Sequence, residues 1–152
     1  MPQTPQAVPP PSPEELMDQL ARVAAAYYRH FAAVAAGHGL TLMQGKTLSL
    51  LGRPRPMRAL AELLACDASN VTGIVDRLTT QELVRREADP DDRRIKNIVL
   101  TEQGEETVGR IRAELMSGLT SLGQLTGDER TTLRTLLGQA FPETTAPPRP
   151  TA

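Results

Sequence analysis

The 152-residue chain has one cysteine, no tryptophan and only four aromatic side chains, two tyrosines and two phenylalanines. A single thiol cannot close an intrachain disulfide, which fits a reducing cytoplasm. Long apolar runs are missing as well: nothing approaches the roughly 18 consecutive apolar residues of a membrane-spanning helix. The N-terminus has no basic segment leading into an apolar one, so no secretory leader is expected and the location is expected to be cytoplasmic. His30 and His38 are the only histidines. Without a second cysteine or a clustered carboxylate pair beside them, neither a metal site nor a cofactor is expected. Catalytic wording is absent too. No serine sits in a nucleophile elbow, neither histidine neighbours an activated nucleophile, and no glycine-rich loop could cradle phosphate, so the chain does not read as an enzyme.

Charge of one sign is also lacking. The chain carries 17 Lys or Arg against 18 Asp or Glu, and the stretch 53–97 holds nine of the first kind and eight of the second. Nucleic-acid binding must therefore be argued from where basic residues sit, not from their excess.

Proline concentrates at the ends. Residues 1–13 hold six of the 13 prolines and residues 142–152 hold four. Both tails lack the amide donors and apolar mass needed to fold, so disordered tails are expected to flank one domain over 14–141. Within that domain helix starts are legible. Thr41 with Gln44 and Thr126 with Glu129 are capping boxes, Thr101 starts another helix, and Asp67 is placed to cap one more. Gly37 and Gly39 stop the first helix. Helices are expected over about 14–36, 41–51, 58–65, 68–81, 102–122 and 127–140.

The centre of the chain carries the functional signal. Arg58–Ala65 and Ala68–Gln81 form two helices joined by a turn through Cys66 and Asp67. In the second, Val71, Ile74, Val75 and Leu78 make one apolar stripe. Ser69, Thr72, Gly73 and Asp76 face away from it, with Asn70 and Arg77 on the flanks. That outward set is short, polar and able to hydrogen-bond, which suits a helix lying in a DNA major groove. Leu83–Ala88 and Ile95–Leu100 are then two Val- and Ile-enriched runs around Asp89-Pro90-Asp91-Asp92-Arg93-Arg94, the pattern of a hairpin. Its tip sets Arg93 and Arg94 beside Asp91 and Asp92, so that a carboxylate could aim a guanidinium before it meets a phosphate or a minor groove. The fold expected is mainly α with a small β-hairpin: a winged helix-turn-helix (41–101) between terminal helices. A winged helix that binds protein is the rival reading. It would need an apolar patch on the recognition helix, where Ser, Asn, Thr, Gly and Asp stand instead.

These pieces, in this order, resemble the multiple antibiotic resistance regulator (MarR) family of bacterial transcription factors. The matching text is Gly39-Leu40-Thr41-Leu42-Met43-Gln44, Ala61-Glu62-Leu63-Leu64, Ser69 through Leu78, Leu83-Val84-Arg85-Arg86, the Asp89–Arg94 wing, and Leu100-Thr101-x-x-Gly104. In one departure, the family usually has Gly where this chain has Glu82. A glycine there would supply a left-handed cap, so this helix either ends differently or strains Glu82.

The resemblance implies a double-stranded DNA partner with a pseudo-palindromic operator, and repression relieved by a small effector. Ser69, Asn70, Thr72, Gly73, Asp76 and Arg77, with Asp92, Arg93 and Arg94 of the wing and Arg58, are the DNA-binding candidates. Asp92 is expected to orient Arg94, and Arg53, Arg55 and Arg58 to steady phosphates. It further implies a homodimer through the terminal helices, whose apolar residues include Leu16, Leu20, Val23, Tyr27 and Val34 at one end and Val108, Ile111, Leu115, Leu119, Leu122, Leu133, Leu136 and Leu137 at the other. The alternative is that these helices cap a single chain. Members of the family often take small aromatic or anionic effectors between the dimer helices and the winged helix, and Tyr27, His30, Phe31, His38 and Met43 are the candidates for such a pocket; ordinary core packing is the other reading. Cys66, near a helix N-terminus, admits a redox-sensing alternative. Against it stand the adjacent Asp67 charge and a tight turn that suits a small packed residue, while peroxide-sensing relatives carry their cysteine in the first helix.

Overall fold

The computed structural model describes residues 9–142, so most of both expected tails lies outside the described residues. The elements are α1 (Pro13–Gly37), α2 (Leu42–Leu50), β1 (Arg55–Pro56), α3 (Met57–Leu64), α4 (Ala68–Thr80), β2 (Val84–Ala88), β3 (Lys96–Leu100), α5 (Glu102–Gly118), α6 (Thr120–Gln124) and α7 (Gly127–Ala140). The architecture is mainly helical with a small antiparallel sheet, as the periodicities predict. Two compact units divide between Arg112 and Ala113.

Caps set most helix starts. Thr41 and Thr126 each accept the amide of the residue three positions on, Gln44 or Glu129, whose side chain bonds the capping residue's own amide. Ser12 and Glu15 form a third such box, with Pro13 at the first helical position. That Ser-Pro-Glu-Glu text carries the signature of a helix start and was open to detection. Asp67 does not cap α4 with its side chain, contrary to expectation. It holds the N-cap backbone geometry and contributes only its carbonyl, which accepts from the Val71 amide at 3.2 Å. At the other end of α1, Gly39 adopts φ 70°, the left-handed geometry that lets the Leu40 amide return to the Ala35 carbonyl.

The first unit is built around α2, α3 and α4, with α2 also packed on α1. Leu48 of α2, Leu60 and Leu64 of α3, and Val71, Val75 and Leu78 of α4 are buried. The expected α4 stripe is therefore the core face, with Ile74 only half-buried at its margin. In the turn before α4, Ala65 enters the left-handed region (φ 50°) and the Cys66 amide reaches back to the Ala61 carbonyl at 3.1 Å. This closure resembles a Schellman turn, achieved with alanine at a small steric cost.

The sheet has the order β1-β3-β2. In the hairpin Val84 faces Leu100, Arg86 faces Ile98 and Ala88 faces Lys96. The third strand, β1, was not expected from the sequence. It is two residues long, too short for alternation to register, and its Pro56 lacks an amide donor, which is tolerated on the edge where β1 lies.

One expected long helix is broken. The segment expected to run continuously over 102–122 divides at Leu119 (φ −106°, ψ 41°) into α5 and α6. Gly118 is a poor helix residue, and the Ser117 hydroxyl bonds back to the Glu114 carbonyl at 2.8 Å, so both residues weaken the last turn of α5. In α7 no residue is buried.

Candidate nucleic-acid interface

Helix α4 presents Ser69, Asn70, Thr72, Gly73, Asp76 and Arg77 on its exposed side. Thr72 spends its hydroxyl proton on the Ala68 carbonyl at 2.9 Å, so its oxygen remains chiefly an acceptor. The Ser69, Asn70 and Arg77 side chains have no hydrogen-bond partner among the described residues. An unpaired Asn amide can bond an adenine edge through two hydrogen bonds, and an unpaired guanidinium can bond guanine or phosphate. No large apolar side chain interrupts this face, and that geometry disfavours a protein-docking use of the helix.

Asp76 already has a partner. Its Oδ1 accepts from the Arg86 guanidinium at 2.7 Å. The register explains the contact: Val84 and Arg86 share one face of β2, and β2 packs on α4. Val84 is buried there, and Arg86, two residues further out, reaches the solvent edge of α4. An exposed pair of this kind adds little stability, at most about 1 kcal/mol. Its larger effect is electrostatic. It offsets a carboxylate that would otherwise repel phosphates and ties the reading helix to the wing. Arg86 belongs to the matching text of the resemblance but was not among the candidates, because its partner lies ten positions away on another element.

The wing turn is organised by Asp89. Its Oδ1 accepts from the amides of Asp91 at 2.9 Å and Asp92 at 3.2 Å, while Oδ2 accepts from Asn97 Nδ2 at 2.7 Å. These bonds, the Asp91 amide first, then Asn97 and then the Asp92 amide, hold the Asp89 carboxyl below its ordinary pKa of 3.8. The expected role of Asp92 needs correction. Its Oδ1 accepts from the backbone amide of Arg94 at 3.0 Å instead of gripping the guanidinium. A two-residue separation lets a short carboxylate close an Asx-type turn onto the main chain more readily than it lets two side chains meet. Among the described residues the Arg93 and Arg94 guanidinium groups have no carboxylate partner, and both side chains are exposed.

The remaining basic candidates divide. Arg58, expected on phosphate, pairs with Glu62 one turn along α3 at 3.2 Å. Arg55 Nε donates to the Leu50 carbonyl at 2.7 Å and so fastens β1 to the end of α2. Burial and then the neighbouring Arg53 lower its pKa. Arg53 is exposed.

The effector candidates are partly assembled. Tyr27 meets Tyr28 and Phe31 edge-on, with ring centroids 5.5 and 6.0 Å apart. Burial, and then Tyr28, raise the Tyr27 pKa. Lys46 of α2 stands 4.9 Å over the Tyr28 ring, a neighbour that required knowledge of α1–α2 packing to find. His30 Nε2 is buried with no hydrogen-bond partner among the described residues. His38 caps α1, and Met43 lies half-buried in the first turn of α2. Cys66 is half-buried, and its thiol donates to the Leu64 carbonyl at 3.3 Å, the contact of a packed thiol. Among the described residues no His, Cys, Asp and Glu cluster could hold a metal, and no helix is long and apolar enough to cross a membrane.

Comparison with known proteins adds a second line of observation. A family model described as the MarR family matches residues 40–96. The HTH-type transcriptional repressor NicR of Pseudomonas putida is 36% identical over 119 residues, which cover 74% of this chain and 75% of that protein. A probable transcriptional regulator from Pseudomonas aeruginosa has a solved structure that is 32% identical and superposes with a TM-score of 0.57, covering 83% of this chain and 99% of that one. RV1404 from Mycobacterium tuberculosis is similar with a TM-score of 0.70 at 25% identity, covering 91% of this chain and all of that one (100%).

Proposed function

Because this chain belongs to the MarR family of transcriptional regulators, we propose that it is a homodimeric, cytoplasmic repressor that reads a pseudo-palindromic DNA operator and is released by a small aromatic or anionic effector. The observation that carries the DNA reading is the exposed face of α4, where Ser69, Asn70 and Arg77 have no partner among the described residues, set beside a wing whose Arg93 and Arg94 side chains are likewise unpaired and exposed. In this reading α4 enters the major groove, Asn70 and Ser69 meet base edges, and Arg77 meets base or phosphate. Gly73 lets the backbone come close, and Arg94 reaches a phosphate or the minor groove. Asp76 then acts through Arg86, not on DNA. The name of NicR, a repressor, supports the sign of regulation.

The homodimer rests on apolar surface. Leu16, Met17 and Val23 of α1 are 48%, 68% and 58% exposed, and Leu136 of α7 is 56% exposed. Apolar side chains at helical spacing on elements from both ends of the chain favour burial against a second copy. The effector reading rests on the exposed Tyr27 and Tyr28 rings, the Lys46 ammonium and His30 Nε2, which has no partner among the described residues; Phe31, expected in the pocket, is buried in the core.

Selection of bound fragments from random duplex DNA tests the proposal, followed by affinity measurements at three salt concentrations for the wild type and Arg94→Ala. A selected palindrome with half-sites ~10 base pairs apart is expected. If Arg94 meets phosphate, its loss from both subunits should flatten the plot of log affinity against log salt by about 2, at 0.9 per contact. Recovery of no common sequence overturns the operator reading. Unchanged affinity for Arg94→Ala removes the wing from it.

A further inference from the structure

The recognition helix ends in a corner where three elements meet. Beyond α4 the Glu82 backbone turns left-handed, at φ 59°, and its amide returns to the Thr79 carbonyl at 2.9 Å. The Glu82 carbonyl accepts from the Thr101 hydroxyl at 2.6 Å. That same hydroxyl oxygen accepts the Gly104 amide at 3.0 Å, and the Thr101 amide donates to the Leu83 carbonyl at 3.1 Å. Thr101 therefore caps the start of α5 and clasps the end of α4 with one side-chain oxygen. Gly104 completes the corner. It is buried, and a Cβ at this position would collide with the Leu83 carbonyl oxygen, so only glycine lets the first turn of α5 lie this close to the chain leaving α4.

Ordinary helix capping explains only part of this arrangement. A cap needs the bond from the Thr101 oxygen to the Gly104 amide; it does not need the bond to Glu82, nineteen residues earlier. The second bond joins the reading helix to α5, which leads the chain toward the C-terminal residues assigned above to the dimer contact. We infer that Thr101 is a positioning residue for DNA recognition: its bond to the Glu82 carbonyl, seated by Gly104, fixes the angle at which the recognition helix is carried on α5, so that two such helices meet two half-sites together. The inference rests on the operator-reading dimer proposed above. A correctly aimed pair of helices matters for base contacts, which need fixed geometry. It matters little for non-specific binding, which follows charge.

The test compares the selected operator with a scrambled duplex of the same length, by fluorescence anisotropy, for the wild type, Thr101→Val and Thr101→Ser. Samples are matched by circular dichroism and by sedimentation as folded protein of equal assembly state. Thr101→Val keeps the shape and loses the hydroxyl. It should weaken operator binding by about tenfold, from the two clasps to Glu82 lost per dimer, one in each subunit, and leave scrambled-duplex binding unchanged. Thr101→Ser, which retains the hydroxyl, should return the ratio of the two affinities to within about twofold of wild type. Gly104→Ala keeps the hydroxyl but forces α5 away from Leu83, and should lower the same ratio; it decides the matter if Thr101→Val does not fold. An unchanged ratio in folded Thr101→Val or Gly104→Ala overturns the inference, as does an equal loss on both duplexes. A wild type that binds both duplexes alike overturns the operator reading, and the inference with it.

Discussion

Glu82 is where local chemistry and the demands of the fold conflict most openly. Its φ of 59° places a side chain in the region that glycine occupies most freely, and its carbonyl must stay there to meet Thr101. Left-handed geometry costs an L residue about 1–2 kcal/mol, part of which glycine loses again through its greater freedom in the unfolded chain. Glu82→Gly is therefore expected to stabilise the protein by about 0.5–1 kcal/mol and raise its midpoint by about 1–4 °C, with operator affinity unchanged. Thermal unfolding followed by circular dichroism checks it. A lower midpoint means that the Glu82 side chain makes a contact worth more than the strain. The departure from the family's usual glycine was visible in the sequence. Which of its two outcomes held was not, because backbone strain depends on where β2 and α5 require the chain to go.

At the scale of the element, the wing is a hairpin whose turn is held chiefly by the Asp89 carboxylate, with Asp92 closing a smaller turn onto the Arg94 amide. The bonds from the Asp91 and Asp92 amides and from Asn97 favour ionised Asp89 and lower its pKa. A carboxylate whose pKa is lowered on folding contributes stability that is fully present above the unfolded value, about 3.9, and is lost as pH falls through the lower folded value. The wing should thus stay ordered at neutral pH and down to about pH 4, then loosen below it. Amide hydrogen exchange of Asp91 and Asp92 should show protection in the wild type and its loss in Asp89→Ala at pH 7. Equal exchange in the two proteins would mean that the ladder between β2 and β3 alone shapes the turn. The two strands were legible from Val and Ile enrichment, and the turn from Pro and Asp. That Asp89, not Asp92, is the organising residue was not legible, since four aspartates and arginines in a row offer no way to tell which oxygen meets which amide.

For the whole molecule, assembly has the largest effect on the proposed function. Leu16 and Leu136 leave apolar side chains in water at opposite ends of the chain. Light scattering at micromolar concentration should give twice the chain mass. Leu16→Glu combined with Leu136→Glu should give the chain mass itself, because burying two unpaired carboxylates per subunit costs several kcal/mol. Operator affinity should fall with it by more than a hundredfold, since the half-sites are then bound independently. A wild-type monomer at that concentration removes the dimer and the palindrome together.

Most of the elements and their order follow from local patterns, the edge strand β1 and the break between α5 and α6 excepted. Capping boxes at Thr41 and Thr126, the 3.6-residue stripe through Val71, Val75 and Leu78, and the proline-and-aspartate turn of the wing are local patterns, and local patterns act through neighbours a few residues away. The polar face of α4 followed from the same periodicity, because fixing the buried side of a helix fixes the exposed one. Tertiary structure alone decided the pairings across long separations. Arg86 with Asp76, Lys46 with Tyr28, Thr101 with Glu82 and the short edge strand at Arg55–Pro56 each join segments whose approach is set by the packing of the core. No spacing rule reaches that far along a chain, since the distance between two such groups depends on every dihedral angle between them.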